Sequence, residues 1–122
     1  HAGRALLVHR KGATRATTGV MGIIPGSMGT ATYLVCGLGC EAAFASCSHG
    51  AGRVMTRSEA RERVKPRALE HAMRRVVYDT RRVGALVEEA PEVYRDIRAV
   101  LDDQRDLVEP VLRLEPIAVY KG

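Results

Sequence analysis

Val20-Met21-Gly22-Ile23-Ile24-Pro25-Gly26-Ser27-Met28-Gly29-Thr30-Ala31-Thr32-Tyr33-Leu34-Val35-Cys36 sets two apolar runs, 20–24 and 31–36, around a loop dense in glycines and hydroxyls. Short apolar runs bounded by glycine and proline read as strands joined by a turn. Residues 5–9 before this stretch and 42–46 after it have the same character, so the N-terminal half reads as β-rich. Gly26 and Gly29 allow positive φ and close backbone approach, and Ser27, Thr30 and Thr32 offer hydroxyls to phosphate or sugar oxygens. The Gly-Lys-Ser/Thr ending of a P-loop is missing, and no acidic residue follows at the distance a dinucleotide site needs. Taken alone, the stretch is a turn between two strands.

A second glycine-rich element, Ser46-Cys47-Ser48-His49-Gly50-Ala51-Gly52-Arg53, wedges one histidine between small residues. Gly50, Ala51 and Gly52 put almost no bulk beside the imidazole, so backbone N–H groups can approach an anion. Arg53 and Arg57 add two planar, permanently charged forks within a helical turn, the arrangement suited to bidentate phosphate recognition. A neutral His49 beside such an anion serves as nucleophile toward phosphorus or as general base; protonated, it serves as acid or as one more cation. The plain alternative is a histidine in a tight turn, hydrogen-bonded to nearby backbone.

Beyond the histidine the pattern turns helical. Thr56-x-x-Glu59 makes a capping box for a helix to about Val64, and Pro66 opens a segment that suits a helix through Arg75. Residues 76–78 suit a strand. Pro91 fits the first turn of a helix to about Leu107, with Val93, Ile97, Val100 and Leu101 on one face. Residues 111–120 alternate as a final strand, which Pro110 and Pro116 restrict to an edge or a break. With no repeat, linker or low-complexity tract, the expected architecture is α+β, mixed short strands and helices, one domain or part of one.

The 122 residues and 46% hydrophobic content support one core. One Phe, no Trp and twelve glycines leave little aromatic mass, which suits a piece that packs against more protein. Three cysteines with no paired Cys-x-x-Cys, no secretory leader and no apolar run near eighteen residues lead us to expect a reducing cytoplasm and no membrane partner. The net charge of +5 rests on sixteen arginines against three lysines. Nine of those arginines and Lys65 fall within residues 53–82 against four acids, a local surplus that attracts polyanions. Arg61, Arg63, Arg74 and Arg75 read as a solvated helix face with ion pairs, because acids interleave with them.

Several motifs taken together resemble the RtcB family of RNA-splicing ligases. Arg10-Lys11-Gly12-Ala13 matches that family's Arg-Lys-Gly-Ala turn, Ile24-Pro25-Gly26-Ser27-Met28-Gly29 its second loop, and Ser48-His49-Gly50-Ala51-Gly52-Arg53 its histidine motif. The match continues through Val54-Met55-Thr56-Arg57, where the family commonly has serine for Thr56. Pro91-Glu92-Val93-Tyr94-Arg95-Asp96 looks like its Pro-x-x-Tyr-Lys-Asp segment, and Lys121-Gly122 like its terminal Lys-Gly. The resemblance runs from end to end, and it implies that residues 1–122 are a C-terminal segment of a larger single RtcB-like domain.

The resemblance further implies a GTP- and Mn²⁺-dependent ligase that joins RNA ends bearing a 2′,3′-cyclic phosphate or 3′-phosphate to 5′-hydroxyl ends. Its substrates would be tRNA halves or broken RNA, so it serves tRNA splicing or RNA repair. His49 would be the nucleophile and carry a covalent guanylate. Pro25, Gly26, Ser27, Met28, Thr32 in place of the family's serine, Gly50, Ala51, Gly52, Tyr94 and Lys121 would hold the nucleotide, and Lys11, Arg53 and Arg57 would hold RNA phosphates. The metal ligands would lie upstream, so this segment supplies none, and alone it would be inactive. An activating protein partner is left open. Two other classes compete: a nucleic-acid-binding module without chemistry, which gives no reason for His49 between glycines and lacks interleaved aromatics, and a phosphohydrolase using His49 as acid or base.

Overall fold

A computed structural model of the chain describes residues 1 and 3–121. It is α+β, with the β structure in two separate small sheets. Strands β2 (Met21–Pro25) and β3 (Thr32–Gly37) pair antiparallel, from Pro25 opposite Thr32 at the turn to Met21 opposite Cys36. Strand β5 (Val108–Leu114) adds antiparallel to the other side of β3. Pro110 has no N–H to give the ladder, and the β3–β5 register slips by one residue at Leu34/Val35, where Val35 faces Pro110 but Leu34 faces Leu112. As the prolines require, β5 is an edge strand, and it stops at Leu114, short of the expected residue 120. The second sheet pairs β1 (Ala13–Arg15) with β4 (Ser46–Ser48).

Four short helices follow: α1 (Arg57–Arg63), α2 (Pro66–Ala72), α3 (Val83–Leu86) and α4 (Ile97–Asp102). The capping box forms as the sequence requires: Thr56 Oγ1 accepts the N–H of Glu59 at 3.2 Å, and Glu59 accepts the N–H of Thr56 at 2.7 Å. Those bonds to Thr56 hold the Glu59 carboxyl below its usual range. No helix of the described residues is long and apolar enough to cross a membrane.

Two apolar clusters share the interior. One lies under the three-stranded sheet and gathers Ile24, Val35, Cys47, Ala51, Ile97, Leu101 and Val108. The other is helical, built from Ala60, Val64, Leu69, Met73, Leu86, Val87 and Val93. Met28, at the tip of the β2–β3 turn, is buried in the helical cluster, while Ile24 of the same hairpin is fully buried in the sheet cluster. Tyr94 packs against both. The glycine loop of the hairpin is therefore pinned at the junction of the two cores.

Several expectations are corrected. Residues 5–9 form no strand, and Leu6, Leu7 and Val8 are exposed with no strand beside them among the described residues. Residues 42–46 are broken by a 3₁₀ turn, Glu41–Ala43, and by Phe44 and Ala45 at φ +52° and +48°; a left-handed pair cannot extend a strand, so β4 begins only at Ser46. Helix α2 stops at Ala72. Of residues 76–78, only Val77 pairs, in a single parallel bridge to Ala118.

The long helix expected from Pro91 to Leu107 is two pieces. A 3₁₀ turn, Pro91–Val93, ends where Tyr94 turns extended to bridge Arg53, and Asp96 then caps α4 by accepting the N–H of Arg98 at 2.9 Å. The segment around α3 had no expected element. Val83, Leu86, Val87 and Ala90 are all buried at helical spacing, a signal the sequence held.

Candidate functional site

The His49 loop is strung between three neighbours. Ahead of it, Gln104, whose burial is unusual for a polar residue, accepts the N–H of Ser48 at 2.9 Å and donates to Ser48 Oγ at 2.8 Å. The N–H of His49 reaches Gly12 O at 3.3 Å, that of Ala51 reaches Pro25 O at 2.9 Å, and Gly52 O accepts the N–H of Arg95 at 2.9 Å. A Cβ at Gly50 would lie 3.2 Å from Pro25 O, so the missing side chain is what lets this loop dock on the hairpin turn. Gly52 takes φ +76°, a left-handed conformation that favours glycine. None of the hydrogen bonds among the described residues uses the N–H of Gly50, Gly52 or Arg53.

A hollow of about 630 Å³ opens where the two glycine loops meet. Of the residues expected to hold a nucleotide, Pro25, Gly26, Ser27, Met28, Gly50, Ala51, Gly52, Tyr94 and Lys121 line it, with His49 in the same wall. Arg53 and Arg57 also border it. Thr32 is not brought in: it sits half-buried at the start of β3, opposite Pro25. Lys11 is exposed on the turn next to Gly12, away from this hollow.

Glu89, which sequence reading passed over, organises the charges. Its carboxylate lies 3.4 Å from Arg53, 3.4 Å from Arg57 and 3.5 Å from Lys121, and it accepts the Tyr94 hydroxyl. Burial of Glu89 opposes ionisation, but the Tyr94 hydrogen bond and the charges of Lys121 and Arg53 outweigh it and hold the carboxyl below its usual range. Tyr94 shifts the other way, its hydroxyl pushed up by burial and by the bond to Glu89. The neighbouring Glu88 pairs with Arg61, so this arginine belongs to the ion-paired face the interleaved acids suggest. Glu88 and Glu89, adjacent acids some thirty residues beyond the 53–61 arginines, give no local sign in the sequence of this pairing.

Arg53 is the most committed cation. Its Nε donates to Met55 O at 3.1 Å, Nη2 donates to Glu88 O, Nη1 donates to the Tyr94 hydroxyl at 3.3 Å, and its guanidinium carbon stands 5.2 Å from the Tyr94 ring centre. Arg57, with a side chain 66% exposed, has far more of its fork available. One wall of the hollow is thus a glycine loop with open N–H groups, and the other is a carboxylate ringed by three cations. Met28, Tyr94 and Val119 provide apolar lining. A phosphate on the first wall and a planar base toward the second is the ligand this shape suits.

A manganese ion is the group least served. Among the described residues no three His, Cys, Asp or Glu side chains come together as metal ligands, so the residues present do not build its site. Cys36, Cys40 and Cys47 are free thiols, and burial pushes the Cys47 thiol up, away from the reactive thiolate.

By fold and by the lining of this hollow, the chain is an α+β segment that carries a histidine on a glycine-rich loop whose Gly50, Gly52 and Arg53 N–H groups are uncommitted among the described residues. The family model described as tRNA-splicing ligase RtcB matches residues 1–122, and the chain belongs to the RtcB family. It is 44% identical over 123 residues to the RNA-splicing ligase RtcB of Escherichia coli K12, an alignment covering 100% of this chain and 29% of that protein. It is 37% identical to the RNA-splicing ligase RtcB of Mycobacterium tuberculosis, covering 98% and 32%, and 38% identical to the tRNA-splicing ligase RtcB of Archaeoglobus fulgidus, covering 96% and 28%. The chain thus spans under a third of the length of these relatives.

Proposed function

We propose that this chain is the C-terminal, nucleotide-handling segment of an RNA ligase that uses GTP and Mn²⁺ to join 2′,3′-cyclic phosphate or 3′-phosphate RNA ends to 5′-hydroxyl ends, in tRNA splicing or RNA repair, in the cytoplasm. The observation that carries this reading is convergence: residues from four separated stretches, 25–28, 49–52, 94 and 121, line one hollow with His49 in its wall. Relatives named as RNA-splicing and tRNA-splicing ligases support the same class of activity.

In this reading a ring nitrogen of His49 attacks the α-phosphorus of GTP; the P–N bond forms, the P–O bond to the β-phosphate breaks, and pyrophosphate leaves. Water opens a 2′,3′-cyclic end first, breaking the P–O2′ bond to leave a 3′-phosphate and a 2′-hydroxyl; an oxygen of the RNA 3′-phosphate then attacks the guanylate phosphorus as the P–N bond breaks and the imidazole is released. The 5′-hydroxyl then attacks the RNA phosphorus, gives up its proton and displaces GMP. Dividing the reaction this way turns an unreactive 3′-phosphate into one with a good leaving group. The open N–H groups of Gly50 and Gly52 would stabilise the phosphoryl oxygens, and Lys121 and Tyr94 would seat the guanine. Manganese would neutralise phosphoryl charge from ligands outside this chain.

The test is full-length protein incubated with α-labelled GTP and Mn²⁺. Acid-labile label that survives denaturing electrophoresis in the wild type and is absent in His49→Ala supports the reading, and a wild type that stays unlabelled while still binding RNA returns the chain to a binding module. Phosphate release from GTP or RNA without labelling would favour acid–base chemistry at His49.

A further inference from the structure

The stretch His49 to Arg53 borders two hollows whose remaining linings have no residue in common. The second, of about 410 Å³, is completed by Gly12, Ser48, Arg95, Val100, Asp103 and Gln104. Its chemistry differs from the first. Among the described residues no Phe, Tyr or Trp lines it, and beside the shared His49 its one sizeable apolar side chain is Val100, so it offers no apolar slot for a base.

Its cation is also in a different state. Arg53, Arg57 and Lys121 are drawn onto Glu89, whereas the Arg95 side chain joins no hydrogen bond or ion pair among the described residues. The Arg95 backbone is nevertheless anchored, its N–H on Gly52 O at 2.9 Å, so an exposed, uncommitted fork is fixed one residue-pair away from the histidine loop. The amide of Gln104 is spent on Ser48. The one acid among its described lining residues, Asp103, makes no ion pair with Arg95. A planar fork with free donors and no base slot suits a phosphodiester.

We propose that this second hollow is a subsite for the sugar-phosphate backbone of the RNA being joined, with Arg95 as its phosphate-binding residue, so that one thin loop carries the nucleotide on one side and the RNA strand on the other. This rests on the ligase reading given above, in which the histidine-bound guanylate must meet a second substrate. The near-absence of side chains at 50–52 lets both approach the same short segment of backbone. Lys11, next in the chain to the lining residue Gly12, is exposed.

The test uses full-length protein and a single-stranded RNA with a 5′-hydroxyl end, measuring binding across a salt series alongside labelling of His49 by α-labelled GTP. Arg95→Ala is expected to weaken RNA binding about tenfold and to lower the slope of log affinity against log salt by about 0.7, with the labelling yield changed less than about twofold. Arg95→Lys is expected to recover the salt slope but only part of the affinity. Arg98→Ala, an equal change in net charge on α4 outside both hollows, should alter neither. RNA affinity and salt slope unchanged in Arg95→Ala overturn the proposal, as does a loss of labelling in proportion to the loss of RNA binding, which would place Arg95 with the nucleotide. If even the wild type fails to label, the ligase reading falls while the RNA series still decides the subsite.

Discussion

The two glycine loops of this chain look alike in sequence and differ in what their glycines do. In the 26–30 turn nearly every polar group is spent inside the turn: Gly26 N–H on Ala31 O at 3.0 Å, Ser27 N–H on Thr30 Oγ1 at 2.7 Å, and the Ser27 and Thr30 hydroxyls on each other at 2.9 Å. Its glycines are there because atoms are close. A Cβ at Gly26 would meet Ala31 O at 2.7 Å, and one at Gly29 would meet Pro91 Cγ at 2.6 Å. In the 49–53 loop the free resource is the backbone itself, since the N–H groups of Gly50, Gly52 and Arg53 are uncommitted and a Cβ at Gly52 would meet nothing within 4 Å. Both loops line the hollow, but the first spends its polar groups within its own turn, whereas the second keeps backbone N–H groups uncommitted among the described residues. Glycine content reports that backbone comes near something, and only the surroundings say whether that thing is protein or ligand.

This contrast can be broken by substitution. The largest stability effect is expected from Gly26→Ala, whose methyl presses on backbone as well as on Thr30; urea unfolding should show a loss of about 3 kcal/mol, the upper end for overpacking. Thr30→Val removes the acceptor of the Ser27 N–H and the partner of its hydroxyl, and about 1–2 kcal/mol should be lost in the same measurement. Gly52→Ala should cost only about 1 kcal/mol, the strain of a left-handed alanine, yet reduce guanylate labelling more than either turn variant does. If Gly52→Ala destabilises more than Gly26→Ala, the contrast between the two loops is reversed.

The smallest effect concerns the opposite wall. Because the Glu89 carboxyl is held below its usual value near 4.5, its ionised form stabilises the fold above that pH, and this contribution is lost as pH falls through the lowered folded-state value. Glu89→Gln should therefore flatten the acid limb of a stability profile below about pH 4.5 and leave the rest of the curve shape unchanged. An acid limb identical in wild type and variant would show that Arg53, Arg57 and Lys121 do not depend on this carboxylate.

Local signals in the sequence carried far. The capping box at Thr56 and Glu59, proline at the start of α2, the β2–β3 pair and the edge position of β5 are each written in a few neighbouring residues, because caps, fixed φ and missing N–H groups act over one turn or one ladder rung. What failed was continuity. The apolar pattern from Pro91 to Leu107 is compatible with one helix, but pairing of Tyr94 with Arg53, some forty residues away, breaks it. In the same way, residues 42–46 have strand-like composition, while the hydrogen bonds of Phe44 to Glu41 O and of Ala45 to Cys40 O wind them into a turn.

The site divides along the same line. The sequence by itself determined the candidate groups: a histidine in a loop without side-chain bulk, two glycine elements, an arginine surplus and a family pattern spanning the whole chain, all readable because they are contiguous. Only the tertiary structure decided that Glu89 gathers Arg53, Arg57, Tyr94 and Lys121, that Thr32 stays outside the hollow, and that the His49 loop separates two hollows. Charges and hydroxyls from residues 53 to 121 meet because two apolar cores share Tyr94 as a common neighbour, and burial, unlike a motif, has no address in the linear chain.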